Sequence, residues 1–108
     1  MQPKRVIILS PYKGDIEGNL KYLRQCMADS AKRGEAPYAS HAMYPFFLND
    51  MLPEERAKGF EMEAAWLAVA EMIAVYWDLG VSSGMQNTIH RNSINQSVLP
   101  VEYRNILI

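Results

Sequence analysis

The chain has 108 residues, 49% of them hydrophobic, with 11 Lys and Arg against 12 Asp and Glu, a formal charge of −1 and a pI near 6.1. This is apolar material for one core and one domain, and the charge balance excludes duplex nucleic acid held by bulk electrostatics while leaving a small anionic ligand open. The single cysteine, Cys26, excludes an internal disulfide. With no signal peptide and no apolar run of membrane-spanning length, a cytoplasmic protein with no membrane association is expected.

Met1 to Arg5 leads into Val6-Ile7-Ile8-Leu9, a β-branched run of the kind buried on both faces of a parallel sheet. Ser10-Pro11-Tyr12-Lys13-Gly14-Asp15 breaks that strand. Asp15 is placed to cap a helix in which Ile16, Leu20, Leu23, Met27 and Ala31 recur at helical spacing, up to Arg33 and a closing Gly34. Cys26 falls in this helix as a small buried thiol. Ala36 to Ser40 reads as a second strand with His41 at its carboxyl end, followed by Phe46-Phe47-Leu48, too apolar for a free loop and better suited to a subunit contact than to plugging a pocket. Pro53-Glu54-Glu55 opens a helix to about Ala70, predicted to turn Phe60, Ala64, Leu67 and Ala68 inward and to place Trp66 at an interface.

Met72 to Tyr76 is the third strand, Gln86 to Asn95 the next helix, and Leu99 to Tyr103 a fourth strand that Asn105 to Ile108 either extends or leaves to pair separately. Strands alternating with helices predict a three-layer α/β fold: a parallel sheet of four or five strands with helices on both faces. In so short a chain the exposed sheet edges and Phe46, Phe47 and Trp66 predict a homo-oligomer, at least a dimer.

Ligands of such sheets bind beyond the carboxyl ends of the strands, which directs attention to two loops. The stretch Asp78 to Gln86 follows the third strand; there Ser82, Ser83, Gly84 and Met85 open a helix, offering hydroxyls and unpaired backbone N–H groups to an anion, although the same residues also make ordinary caps. The first loop, Ser10 to Asp15, offers Tyr12 to a base or sugar and Lys13, beside Gly14, to a phosphate; a packed loop tyrosine and a surface lysine are the plainer alternatives. Asp15 and Asp78 each sit where a carboxylate can hold a ribose hydroxyl or act as acid or base, against helix capping for Asp15 and a turn for Asp78. His41 is a candidate polar group, and His90 and Arg91 read as a solvated face. His41, His90 and Cys26 show no metal-ligand spacing, and neither a metal nor a cofactor is expected.

Pro11-Tyr12-x-Gly14-Asp15 with Asn19, Pro37-x-Ala39-x-His41-x-x-Tyr44-Pro45-x-Phe47-Leu48, Pro53-Glu54-x-Arg56-x-x-Gly59 and Ser82-x-Gly84-Met85 occur in order from Arg5 to Tyr103. As a set they resemble the nucleoside 2-deoxyribosyltransferase-like superfamily, in particular a small branch found in bacteria and phages. The resemblance implies a flavodoxin-like or Rossmann-like sheet, an oligomer, and a pocket for a nucleoside or nucleotide in which a glutamate attacks C1′ of the sugar. Active relatives read Ser-x-Gly-Met-x-x-Glu-Ile, whereas this chain reads Ser82-Ser83-Gly84-Met85-Gln86-Asn87-Thr88-Ile89. Thr88 takes the nucleophile position, and a threonine hydroxyl without a base beside it neither attacks nor stabilises an oxocarbenium-like centre. Asn92 and Gln96 also stand where relatives carry smaller residues, making the helix near the pocket more polar. The expectation is a nucleotide binder without turnover, for instance a phage protein that captures a nucleotide signal of host defence; the alternative is an N-glycosidic hydrolase or deoxyribosyltransferase using another acid such as Asp78.

Overall fold

The computed structural model describes residues 2–107. Four strands, β1 (Lys4–Leu9), β2 (Glu35–Tyr38), β3 (Met72–Tyr76) and β4 (Val101–Arg104), form one sheet in the order β2-β1-β3-β4. All three neighbouring pairs are parallel. Between them run α1 (Ile16–Lys32), a short α2 (Ser40–Met43) continued by a 3-10 turn at Tyr44–Phe46, α3 (Pro53–Leu67) and α4 (Ser83–Ser93).

The two central strands are apolar at nearly every position because successive side chains serve opposite cores. Val6, Ile8, Met72, Ala74 and Tyr76 pack with Tyr22, Leu23 and Cys26 of α1. Ile7, Leu9, Ile73 and Val75 pack with Leu67 of α3 and Met85 of α4. Helices thus cover both faces, and the expected three-layer α/β fold is the observed one. Each of the valine, leucine, isoleucine and methionine side chains among them contributes roughly 1.5–3 kcal/mol by its burial. Among the described residues, no helix is long and apolar enough to cross a membrane.

Helix α1 begins where the Asp15 side chain accepts from the Gly18 N–H at 3.1 Å, so capping is what Asp15 does. A Cβ at Gly18 would come within 2.3 Å of that carboxylate, so any larger residue there would make the Asp15 side chain shift. The inward stripe is Asn19, Tyr22, Leu23, Cys26 and Ser30, while Ile16, Leu20 and Ala31, expected inside, are exposed. The stripe is rotated because its two polar members are satisfied: Asn19 by loop carbonyls and Ser30 by Glu35.

Other boundaries shift for equally local reasons. Strand β2 ends at Tyr38, so His41 sits on α2 and not at the strand end. Ser82 is the N-cap of α4, which begins at Ser83 and not at Gln86. Strand β4 begins at Val101, two residues late, because the Asn92 side chain bonds both the N–H and the C=O of Leu99, at 2.9 and 3.0 Å. That clamp, and not a polar pocket wall, is the role of Asn92. After β4 the chain forms no further strand through Leu107, and Ile108 lies outside the described residues.

Helix α3 departs furthest from expectation. Phe60, Ala64 and Ala68 are exposed, and the buried residues of α3 are Glu63 and Leu67. Trp66, 46% exposed, stacks on Tyr38 with centroids 4.7 Å apart. The 3-10 turn leaves Phe46 at 93% exposure.

Candidate functional site: the crevice between β1 and β3

The chain leaves β1 for α1 on one face of the sheet and β3 for α4 on the other. Such a reversal opens a crevice beyond the carboxyl ends of the two strands. Ser10 closes β1, buried, with its Oγ 2.7 Å from Nε2 of His41. Burial pushes the His41 pKa down from 6.5 to about 4, so its ring is neutral at pH 7 and acts as a hydrogen-bonding group, not a cation.

The loop after Ser10 is braced from below. Asn19 Nδ2 donates to the carbonyls of Tyr12 and Lys13, each at 3.0 Å. Gly14, at φ +99°, turns the chain in the left-handed region that side chains avoid. Lys13 Nζ lies 3.3 Å from Asp50, so this cation is paired at the surface. Tyr12 is half-buried. Asp15, besides capping α1, lines a concavity of about 620 Å³ on the outer side of that helix with Lys21 and Arg24.

Across the crevice, Ser82 Oγ accepts from the Met85 N–H and the Ser82 N–H donates to Met85 Sδ, both at 3.3 Å, while the rest of the Met85 side chain anchors in the core. Ser83 and Gly84 are exposed in the first turn, where backbone N–H groups have no intrahelical acceptor. Both candidate loops therefore lie beyond the carboxyl ends of adjacent strands.

Asp78 belongs to a different arrangement. Its carboxylate accepts from Tyr22 Oη at 2.6 Å and from the backbone N–H groups of Ile106 and Leu107 at 3.0 and 2.8 Å. Partial burial opposes ionisation, but these donors prevail and hold its carboxyl below the usual range. Asp78 ties the C-terminal segment to α1.

The carboxylate beside Thr88 is instead Glu63. Buried Thr88 donates from Oγ1 to Glu63 Oε1 at 3.0 Å, and Arg91 Nη2 reaches the same oxygen at 2.6 Å. Ser40 donates to Oε2 at 3.0 Å. The cluster joins α2, α3 and α4 on one face of the sheet. Arg91 in turn lies over the Phe60 ring, 5.0 Å from its centroid, and Arg56 lies 5.5 Å from the same centroid. Sequence reasoning does not reach Glu63, Ser40 or Arg91 as site residues; the one signal for them is the spacing of Gly59, Glu63 and Leu67, four apart on one helix face.

Cys26 is inert by placement, since burial pushes its thiol up to about 12. Among the described residues, no three His, Cys, Asp or Glu side chains are grouped to hold a metal ion.

No curated protein and no solved structure matches the chain. A family model does match residues 4–104, nearly the whole chain and every element of the crevice, and the chain belongs to that family, a domain of unknown function, DUF7768.

Proposed function

We propose that the crevice binds a nucleoside or nucleotide and does not turn it over. The observation that carries this reading is the state of Thr88. At the position where the resemblance expects a nucleophilic carboxylate, a hydroxyl spends its proton on Glu63, and Glu63 is ion-paired with Arg91. The crevice otherwise keeps what a binder needs: a neutral His41 held by Ser10, a braced first loop and a helix start with Ser83 and Gly84 exposed in its first turn. A phage protein that captures a nucleotide signal is one role for such a domain. Exposed Phe46, Phe47 and Met51 favour self-association as well, and light scattering at micromolar concentration should give a mass above that of the 12.3 kDa monomer.

Calorimetry with nucleosides and nucleotides, run beside chromatography for released base, tests the reading. Binding with no released base is expected. Absence of binding at millimolar concentration refutes it. A second reading, glycosidic cleavage by a carboxylate from another element, is favoured by the 3.0 Å approach of Glu63 to Thr88. It requires base release that Glu63→Gln abolishes and Asp78→Asn does not.

A further inference from the structure

Two guanidinium groups from different helices converge on one aromatic ring. Arg56 and Phe60 stand four apart on α3, and Arg91 reaches the same ring from α4. Glu63 meets the charge of Arg91 through Nη2 alone, and one carboxylate cannot neutralise two guanidinium groups. Arg56 makes no ion pair with a described residue and is exposed. Arg91 Nε is buried and finds no acceptor among the described residues. A buried donor without an acceptor is rare in folded proteins and is destabilising. Were Arg91 present only to tie α3 to α4, its Nη2 bond to Glu63 would suffice and neither Arg56 nor the orphaned Nε would be accounted for.

We propose that Arg56 and Arg91, set against Phe60, form an anion subsite that holds a phosphate group of the ligand, which makes the preferred ligand a nucleotide over a nucleoside. This inference rests on the binding reading above and adds the phosphate to it. Guanidinium matches phosphate by its planar fork of donors. Phe60, 37% exposed, gives both arginines a flat surface that fixes their planes before the ligand arrives. Arg91 Nη2 lies 3.5 Å from Thr88 Oγ1, which sets the subsite beside the residue at the position where the resemblance expects the nucleophile. Glu63 then does more than join two helices, since it orients Arg91 through Nη2 and leaves Nη1 outside that bond for the phosphate.

Calorimetry on the full chain at constant ionic strength tests this with three probes: a nucleoside, its 5′-monophosphate, and inorganic pyrophosphate. The native protein should prefer the monophosphate to the nucleoside by about tenfold or more. Arg56→Gln, an exposed change that spares the Glu63 ion pair, should remove most of that preference and weaken pyrophosphate about tenfold while leaving nucleoside affinity unchanged. Arg91→Lys keeps the charge but not the fork, and should lower monophosphate affinity several-fold with circular dichroism unaltered. Equal affinity for nucleoside and monophosphate in the native protein, or a preference that Arg56→Gln leaves intact, overturns the subsite while the crevice reading stands. Arg56-dependent pyrophosphate binding with no nucleoside bound in either form supports the subsite as an anion site and removes the crevice reading. Binding of none of the three probes overturns both.

Discussion

Replacing Glu63 by leucine is the most informative perturbation of the cluster between α3 and α4. The substitution keeps bulk near the sheet but strips the carboxylate that accepts from Thr88, Ser40 and Arg91, leaving the Thr88 hydroxyl its 3.4 Å contact to the Gly84 carbonyl. Removing one partner of a fully buried ion pair costs about 3–5 kcal/mol, because the other charge is left unpaired. The Arg91 side chain is 29% exposed, so it recovers part of its hydration, and the lower end, about 3 kcal/mol, is expected, including the Ser40 hydroxyl left without its acceptor. For a domain of this size that is a large share of a total stability of about 5–15 kcal/mol. The double variant Glu63→Leu/Arg91→Leu removes both charges and should recover at least half the loss. Urea denaturation followed by circular dichroism measures both. A cost below about 1 kcal/mol for the single variant, or a double variant no more stable than the single, would refute the reasoning, since it would mean that the ion pair does not join the two helices.

Acid should expose the neutral state of His41. Its folded pKa of about 4 lies below the ordinary 6.5, so the unfolded chain takes up a proton first as pH falls, and stability drops between pH 6.5 and 4 by up to about 1.4 kcal/mol per pH unit from this group; His41→Gln should flatten that part of the profile in pH-dependent denaturation. Cys26, buried with its thiol raised to about 12, should resist iodoacetamide in the native protein at pH 8 and react once urea unfolds it, as read by mass spectrometry. Thr88→Glu sets a second carboxylate against Glu63 with Arg91 between them and should cost about 2 kcal/mol or more in denaturation; adding Glu63→Thr, which returns the count to one carboxylate, should restore most of it.

The sheet was legible because its central strands carry their own signal. Val6 to Leu9 and Met72 to Tyr76 are apolar at successive positions and bounded by breakers, and no long-range partner is needed to read them. The start of α3 at Pro53 and the Asp15 cap were legible for the same reason. The inward face of α3 was not. A glutamate reads as solvated until Ser40, Thr88 and Arg91 are known to surround it, and those partners lie 23 to 28 residues away in the chain. Asn92 misled similarly, because the backbone it clamps at Leu99 becomes visible only once the turn is folded. Of the crevice, both loops were legible as small, polar breaks after strands, but the pairing of Ser10 with His41 depends on α2, which its sequence does not announce.

The two edges of the sheet are unlike, and this governs how copies of the chain can aggregate. The β2 edge carries Pro37, which has no N–H to offer an incoming strand. The β4 edge, Val101–Arg104, contains no proline. Open-ended growth by strand addition would need every copy to offer its β2 edge, whether to a β4 edge or to another β2 edge, and Pro37 interrupts every such junction. Two β4 edges can meet each other, and once they do neither is left to recruit a third copy. Strand addition in this domain is therefore expected to end at a pair, and substituting Pro37 by a β-branched residue should remove that stop.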